Sequence, residues 1–262
     1  MIKLGIIGCG AIGTSIASAV DRGEVKNCQL VSVFDIDKKQ ADKLLSKLSA
    51  KPKFAKTFEE FLKIDSDLIA ECASQQALKQ FAERVLKSGR DMQVMSEGAF
   101  LDNEFSKRIM KVVSETGKKM HLPSGAIGGL DVMKAAARSG LTNVKLVTRK
   151  PPDSLGGKSK RVKTVFEGSA EEAVRLLPRN INIAATLSLA GIGGKKTKVK
   201  VISDPTIKHI IHRLEVSGKF GRMTLTLYNL PHPDNPKTSA LAVYSAIVTL
   251  QQLCSPDIRI GT

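Results

Sequence analysis

Six residues near the start of the chain, Gly8-Cys9-Gly10-Ala11-Ile12-Gly13, constrain its fold more than any other stretch. A G-x-G-x-x-G spacing alone is a weak signal. Here it follows an apolar run, Lys3 to Ile7, and opens a segment with helical apolar spacing, Ala11 to Arg22. A second apolar run, Gln29 to Phe34, is followed by Asp35, 22 residues after Gly13. Strand, glycine turn, helix, strand and acid, in that order, form the fingerprint of a Rossmann dinucleotide site. Gly8 permits the tight turn, Gly10 lets the backbone approach a pyrophosphate, and Gly13 lets the helix close on the strand. The N–H groups that open the helix, those of Ala11 and Ile12 among them, offer partial positive charge to the phosphates. Asp35 is expected to accept hydrogen bonds from the adenosine ribose. That favours NAD, because a carboxylate repels a 2′-phosphate, while Lys38 and Lys39 keep NADP within reach.

The rest of the first half repeats the pattern. Further strands are expected at Asp67 to Glu71, Met92 to Met95 and Lys119 to Leu122, with helices at Lys38 to Leu48, Gln76 to Ser88 and Asp102 to Thr116. Alternation of this kind predicts an α/β domain, a doubly wound parallel sheet covered on both faces. Ligands of such sheets bind outside the carboxyl ends of the strands, which makes Ser74 and Gln75 candidate nicotinamide-side contacts; after a strand they serve equally as helix caps.

After Pro123 the pattern changes. Runs rich in β-branched residues begin at Val144 and come without regular intervening helices, and alternation appears: Met223, Leu225 and Leu227 on one face, Arg222, Thr224 and Thr226 on the other. The turn Ser217 to Gly221 should join that strand to the one before it. The expectation is an α+β domain with a mainly antiparallel sheet at 123–238, after a Rossmann domain at 1–122, with a closing helix at about 239–262 that returns to the first domain. Pro151-Pro152 and Gly156-Gly157 mark a loop. On a strand from Ile211 to Ser217, His212 shares the inward face with Leu214 and Val216. Such a histidine is as often a satisfied core residue as a functional one. His121, His209 and His232 read as loop or surface residues.

Three segments of the second half are dense in polar residues beside glycine or proline: SGAIGGLD (124–131), NINIAATLSLAG (180–191) and NPKTS (235–239). In this order after the glycine turn, they resemble the L-aspartate dehydrogenase family. The resemblance implies NAD(P)-dependent oxidative deamination of L-aspartate: hydride passes to the nicotinamide, and iminoaspartate either feeds NAD biosynthesis or is hydrolysed to oxaloacetate and ammonia. It also implies that Ala126 and Asn182 contact the cofactor and that His212 is the acid–base group. Many relatives carry Asn-x-His there, whereas Ile210 stands two residues before His212 in this chain, so the ring is expected to be oriented differently. A neutral imidazole suits the task, since aspartate must lose an ammonium proton before hydride leaves. The ordinary imidazole value of about 6.5 is the starting point for its titration. Ser124, within a run of backbone N–H groups, and Lys237, Thr238 and Ser239 are candidates for holding the substrate carboxylates. The competing reading makes Thr238 or Ser239 a helix cap and Lys237 a solvated lysine.

Composition bounds the alternatives. A formal net charge of +16 raises polyanionic partners, but the basic residues are scattered and aromatics make up only 4%. A dinucleotide-sensing nucleic-acid-binding protein is therefore the weaker reading, and specific nucleic-acid binding is not expected. Another two-domain NAD(P) oxidoreductase, resembling homoserine dehydrogenase or dihydrodipicolinate reductase, is the nearer rival. Cys9, Cys28, Cys72 and Cys254 lack C-x-x-C spacing or clustered histidines, so no metal site is expected and a reducing cytoplasm is. No run is long enough for a membrane span. The expected partners are L-aspartate and further copies of the chain, in a homo-oligomer of dimeric size.

Overall fold

The computed structural model describes residues 1–177, 182–233 and 235–255, with the backbone alone at 235–237. The chain divides into two units, one holding Met1–Ala99 and Asn103–Pro123 and taking up the chain again from Val243, the other holding Phe100–Asp102 and Ser124–Ala242.

In the first unit the elements are β1 (Ile2–Ile7), α1 (Ala11–Asp21), β2 (Cys28–Phe34), α2 (Lys38–Leu45), β3 (Lys53–Ala55), α3 (Phe58–Lys63), β4 (Leu68–Glu71), α4 (Gln75–Lys87), β5 (Asp91–Val94), α5 (Asn103–Thr116) and β6 (Met120–His121). The six strands pair in parallel in the order β3-β2-β1-β4-β5-β6. The sheet reverses direction of growth beside β1, and its carboxyl ends there are where such folds bind ligands. Both faces are packed. On one, Leu4, Ile6, Ile16, Val20, Val33 and Leu44 form the core. On the other, Phe58 and Phe81 stack with ring centroids 4.1 Å apart and Phe34 meets Phe81 edge-on at 5.7 Å; aromatic pairs of this kind add about 0.5–1.5 kcal/mol each beyond burial. The apolar stripe Leu78, Phe81, Ala82, Val85 and Leu86 seats α4, and Ser74 caps it by accepting from Ala77 N–H. Neither β3 nor α3 was expected from the sequence. Both are short, and lysines break their apolar pattern.

The second unit contains α6 (Leu130–Ala137), β7 (Leu141–Lys150), β8 (Lys163–Ser169), α7 (Ala170–Leu176), α8 (Asn182–Ala190), β9 (Lys198–Ser203), β10 (Ile210–Gly218), β11 (Gly221–Asn229), and a small pair, β12 (Pro231–His232) with β13 (Asn235–Ser239). The five-stranded sheet has the order β11-β10-β7-β9-β8, antiparallel throughout except for β7 and β9. A parallel pair needs a long crossover, and α7 and α8 lie within it. This corrects the expectation of a region without regular helices after Val144. α8 buries Ala184, Ala185, Thr186, Leu187 and Ser188 with little polar face, so helical periodicity is nearly absent from its sequence. The inner face of the sheet packs Val144, Leu146, Val199, Val201, Leu214 and Val216 against Met133, Ala173, Ala185 and Leu187 of the helices.

The last helix, α9 (Ala240–Cys254), begins directly after β13. Its residues Ala246, Leu250 and Cys254 complete the core of the first unit, and Gln93 Nε2 donates to Ala246 O at 3.0 Å. Among the described residues, no helix is long and apolar enough to cross a membrane.

Candidate active site

The glycine turn is built as its spacing predicts. Gly8 has φ +96°, and a Cβ there would lie 2.7 Å from the backbone of Cys72 and Ala73, so any other residue is excluded twice over. A Cβ on Gly13 would lie 2.0 Å from Gly8 O. α1 is therefore pressed against the turn. Gly10 is different, since nothing lies within 4 Å of where its Cβ would be. It is also the N-cap of α1 and makes no side-chain cap, so no side chain blocks the approach to the helix N-terminus formed by Ala11, Ile12 and Gly13. Open space over a bare helix N-terminus is what a pyrophosphate requires. Asp35 is half-buried at the end of β2 and accepts from Cys9 N–H (2.6 Å, Oδ2) and Asp37 N–H (2.8 Å, Oδ1). These bonds fix its carboxylate beside the turn. Lys38 pairs with Asp42 at 3.0 Å on an exposed helix face. The residues present thus fit a dinucleotide.

Along the strand ends of this unit stands a group absent from the sequence reading, Glu71. It is fully buried, and its carboxyl accepts from Ala73 N–H (2.8 Å), Ser96 Oγ (2.9 Å) and Ser96 N–H (3.2 Å). Desolvation raises its pKa to about 7 despite those donors,. Glu97, 2% exposed, is raised well above the ordinary value by burial and by the charge of Glu71. Glu71 fastens the loop carrying Ser74 and Gln75 to the loop after β5. Ser74 is exposed and acts as a cap, and Gln75 lies against Gly98, where an added Cβ would come 2.2 Å from its Nε2.

In the second unit His212 occupies the inward position on β10 that its parity predicts. It is 4% exposed, and Nδ1 lies 2.9 Å from Thr148 Oγ1 on β7, the residue opposite it in register. Thr148 is thus what orients the ring where Ile210 replaces the asparagine of the motif. An amide does lie on the same face, because Asn229 pairs with Ile210 and donates through Nδ2 to Ala126 O at 3.1 Å. Burial, and then the positive charge of Lys150, lowers the pKa of His212 to about 3. This revises the starting value of 6.5: the imidazole is neutral at every ordinary pH. Lys150, at the end of β7, is 4% exposed and burial lowers it to about 8.

The remaining candidates divide. Ala126 is buried and Ser124 half-buried on the segment before α6, and Asn182 opens α8. The Ser239 hydroxyl accepts from Leu241 N–H at 3.2 Å, which makes it a cap of α9. Thr238 lies on β13, and the Lys237 side chain falls outside the described residues, as do 179–181 of the NINIAATL segment. Of the histidines read as loop or surface residues, His209 does lie in the loop before β10, packed on the exposed Tyr228 with centroids 5.6 Å apart, whereas His232 is buried. The signal that could have found Lys150 and Thr148 is parity, since both share it with Val144 and Leu146.

Comparison with known proteins places these two halves. Residues 131–253 match the family described as "Aspartate dehydrogenase, C-terminal", and residues 8–123 match "Homoserine dehydrogenase, NAD binding domain". The L-aspartate dehydrogenases of Methanosarcina barkeri and Nitrosopumilus maritimus are each 40% identical, with both chains covered in full. The crystal structure of aspartate dehydrogenase from Thermotoga maritima matches with a TM-score of 0.80 and 33% identity over 99% of each chain. A scyllo-inositol dehydrogenase from Lactobacillus casei with bound NAD(H) shares the fold (TM-score 0.60, 14% identity, 97% of this chain and 88% of that one). With a glycine turn and a fixed acid beside it in one unit, a buried neutral histidine in the other, and relatives alike from end to end, the chain belongs to the L-aspartate dehydrogenase family.

Proposed function

We propose that the chain oxidises L-aspartate with NAD, using His212 as the proton acceptor. The observation that carries this reading is a buried, neutral imidazole held through Nδ1 by Thr148, in a chain whose full-length relatives are L-aspartate dehydrogenases. NAD, when bound, supplies the hydride acceptor. Gly8, Gly10, Ala11, Ile12 and Gly13 hold its pyrophosphate and Asp35 its ribose, with Ser74, Gln75, Ala126 and Asn182 as further contacts. If Thr148 accepts from Nδ1–H, the lone pair of His212 is left on Nε2. Nε2 takes one proton from the substrate ammonium, and the α-carbon then releases hydride, giving iminoaspartate. Water adds to the imine carbon, and ammonia leaves to give oxaloacetate. An imidazole near 3 is a weak base; the two carboxylates of the substrate beside it raise its basicity. Ser124, Lys237, Thr238 and Ser239 remain candidates for the carboxylates.

Asp35 favours NAD over NADP, and the engagement of Lys38 by Asp42 leaves that preference standing. We also propose a dimer formed through the outer face of the second sheet, where Val147, Ile211, Thr224, Thr226 and Tyr228 are partly or fully exposed. Four free cysteines suit a reducing cytoplasm,. Reduction of NAD and NADP, followed at 340 nm over a panel of L-amino acids, tests the reading: L-aspartate with NAD should stand well above L-alanine, L-asparagine and L-homoserine. Equal turnover of L-alanine would remove the substrate assignment. Light scattering should return twice the chain mass.

A further inference from the structure

Glu71 closes β4 inside the first sheet, paired in register with Ile7 on one side and Val94 on the other. Ile7 is the last residue before the glycine turn, and the turn rests on the loop that follows Glu71, where a Cβ on Gly8 would meet the backbone of Cys72 and Ala73. The carboxyl is fully buried there, and its partners are donors. Ala73 N–H and Ser96 Oγ reach Oε1, and Ser96 N–H reaches Oε2. An ionised carboxylate only accepts, whereas a protonated one must place a donor among them. Hydrogen bonding therefore asks for the charge, and desolvation opposes it. The titratable groups around Glu71 are Glu97 on the loop after β5, Cys72 next in sequence, and Cys9 in the glycine turn, close to Cys72. Burial pushes all three toward the neutral form, Glu97 and Cys72 well above their ordinary values and Cys9 up to about 12. Glu71, at about 7, is the member of this cluster whose charge changes near neutrality.

The sheet order assigns the two ends of the dinucleotide. Asp35, closing β2, lies on one side of β1 and fits the adenosine ribose, and the N-terminus of α1 fits the pyrophosphate. The nicotinamide half is left the other side, over the ends of β4 and β5. Its ring is a cation in NAD and neutral in NADH. We infer that Glu71 is a specificity-determining residue for the redox state of the cofactor: from beneath the loops after β4 and β5, its carboxylate favours the cationic ring of NAD over the neutral ring of NADH. Buried as it is, Glu71 acts through charge rather than contact, in a setting that salt screens little. The coupling is reciprocal, so binding of NAD draws Glu71 toward the carboxylate and releases its proton.

Glu71 holds this role only if NAD lies over these strand ends, as proposed above, and the test keeps the two apart. Calorimetric titration of the wild-type protein with NAD and with NADH, from pH 6 to pH 8 and in two buffers of different ionisation enthalpy, reads affinity and proton release without turnover. NAD affinity should rise about five- to thirtyfold across that range, the worth of one charge facing another over several ångströms in a protein setting. A proton should leave as NAD binds, and NADH affinity should stay nearly constant. Glu71→Gln keeps the size and an acceptor oxygen; it should bind NAD without a pH slope, as weakly as the wild type does at pH 6, and bind NADH as the wild type does. Glu71→Asp, which keeps the charge, should recover the preference for NAD. A loosened fastener would weaken NAD and NADH alike, so equal losses in Glu71→Gln overturn the inference and leave a purely structural carboxylate. Wild-type NAD affinity that is flat with pH, with no proton released, overturns it without any variant. An Asp35→Ala protein with wild-type affinity for both nucleotides would instead remove the placement of the cofactor, and the inference with it.

Discussion

The two units bury ionisable groups of opposite kind. At the strand ends of the first lie two acids, Glu71 and Glu97; on the inner face of the second lie two bases, Lys150 and His212. Desolvation acts on both toward neutrality, raising the acids and lowering the bases,. The difference lies in what surrounds them. Glu71 is saturated by donors from two loops and works as a fastener, whereas the imidazole of His212 meets the hydroxyl of Thr148 through Nδ1. Asp204 is the instructive exception in the second unit: its donors from Thr206 lower its pKa, so it stays charged.

The contrast is broken most directly at His212. His212→Ala should lower kcat for aspartate oxidation by about 10²- to 10⁴-fold, the usual contribution of a positioned acid–base group, while NAD titration gives wild-type affinity. A folded variant within a few-fold of wild type would return His212 to the core and move the base elsewhere. The corresponding probe of the first unit is Asp35→Ala. Loss of a charged hydrogen-bonding group is worth about 1.5–3 kcal/mol, so the NAD to NADP ratio of kcat/KM should fall roughly tenfold to a hundredfold. A ratio left unchanged would assign cofactor choice to Lys38 and Lys39.

Opposite burial also predicts opposite pH responses of stability. The folded pKa of His212 is about 3 against an unfolded value near 6.5. Its contribution is therefore complete above 6.5 and is lost as pH falls toward 3. Glu71 is raised from 4.5 to about 7, so its contribution is complete below 4.5 and is lost as pH rises through 7. Each slope can reach about 1.4 kcal/mol per pH unit. Thermal melts should show Glu71→Gln flattening the decline between pH 5 and 8, and His212→Gln flattening the decline between pH 6 and 4. Parallel slopes in both variants would show that neither group dominates its unit. The smallest effect is expected at Thr148. Thr148→Val should cost about 1 kcal/mol of ring orientation, a roughly fivefold drop in kcat at unchanged KM, with Thr148→Ser restoring it.

Legibility followed periodicity. The parallel sheet was readable because every strand ended in a turn with its own chemistry, and the β10–β11 hairpin because Met223, Leu225 and Leu227 alternate with polar residues. α8 hid because it is buried almost all round. α7 did carry a signal, the capping box of Ser169 and Glu172, which precedes too short an apolar run to register as a helix. His212 was found by parity and family likeness. Lys150 was passed over because a lysine at a strand end ordinarily marks solvent, and Glu71 because a carboxylate closing a buried strand is the residue least expected there.

The core of the first unit depends on Ala246, Leu250 and Cys254, encoded at the far end of the chain. On the ribosome, the strands of that unit emerge first and then wait while the whole second unit is made, roughly 6 to 24 s at about 5–20 residues per second. During that interval the apolar groove meant for α9 has no cover from its own chain. Synthesis order thus leaves the amino-terminal half, although first to appear, the last to finish, and a nascent chain arrested before Val243 would present a chaperone with a nearly complete sheet and an open seam.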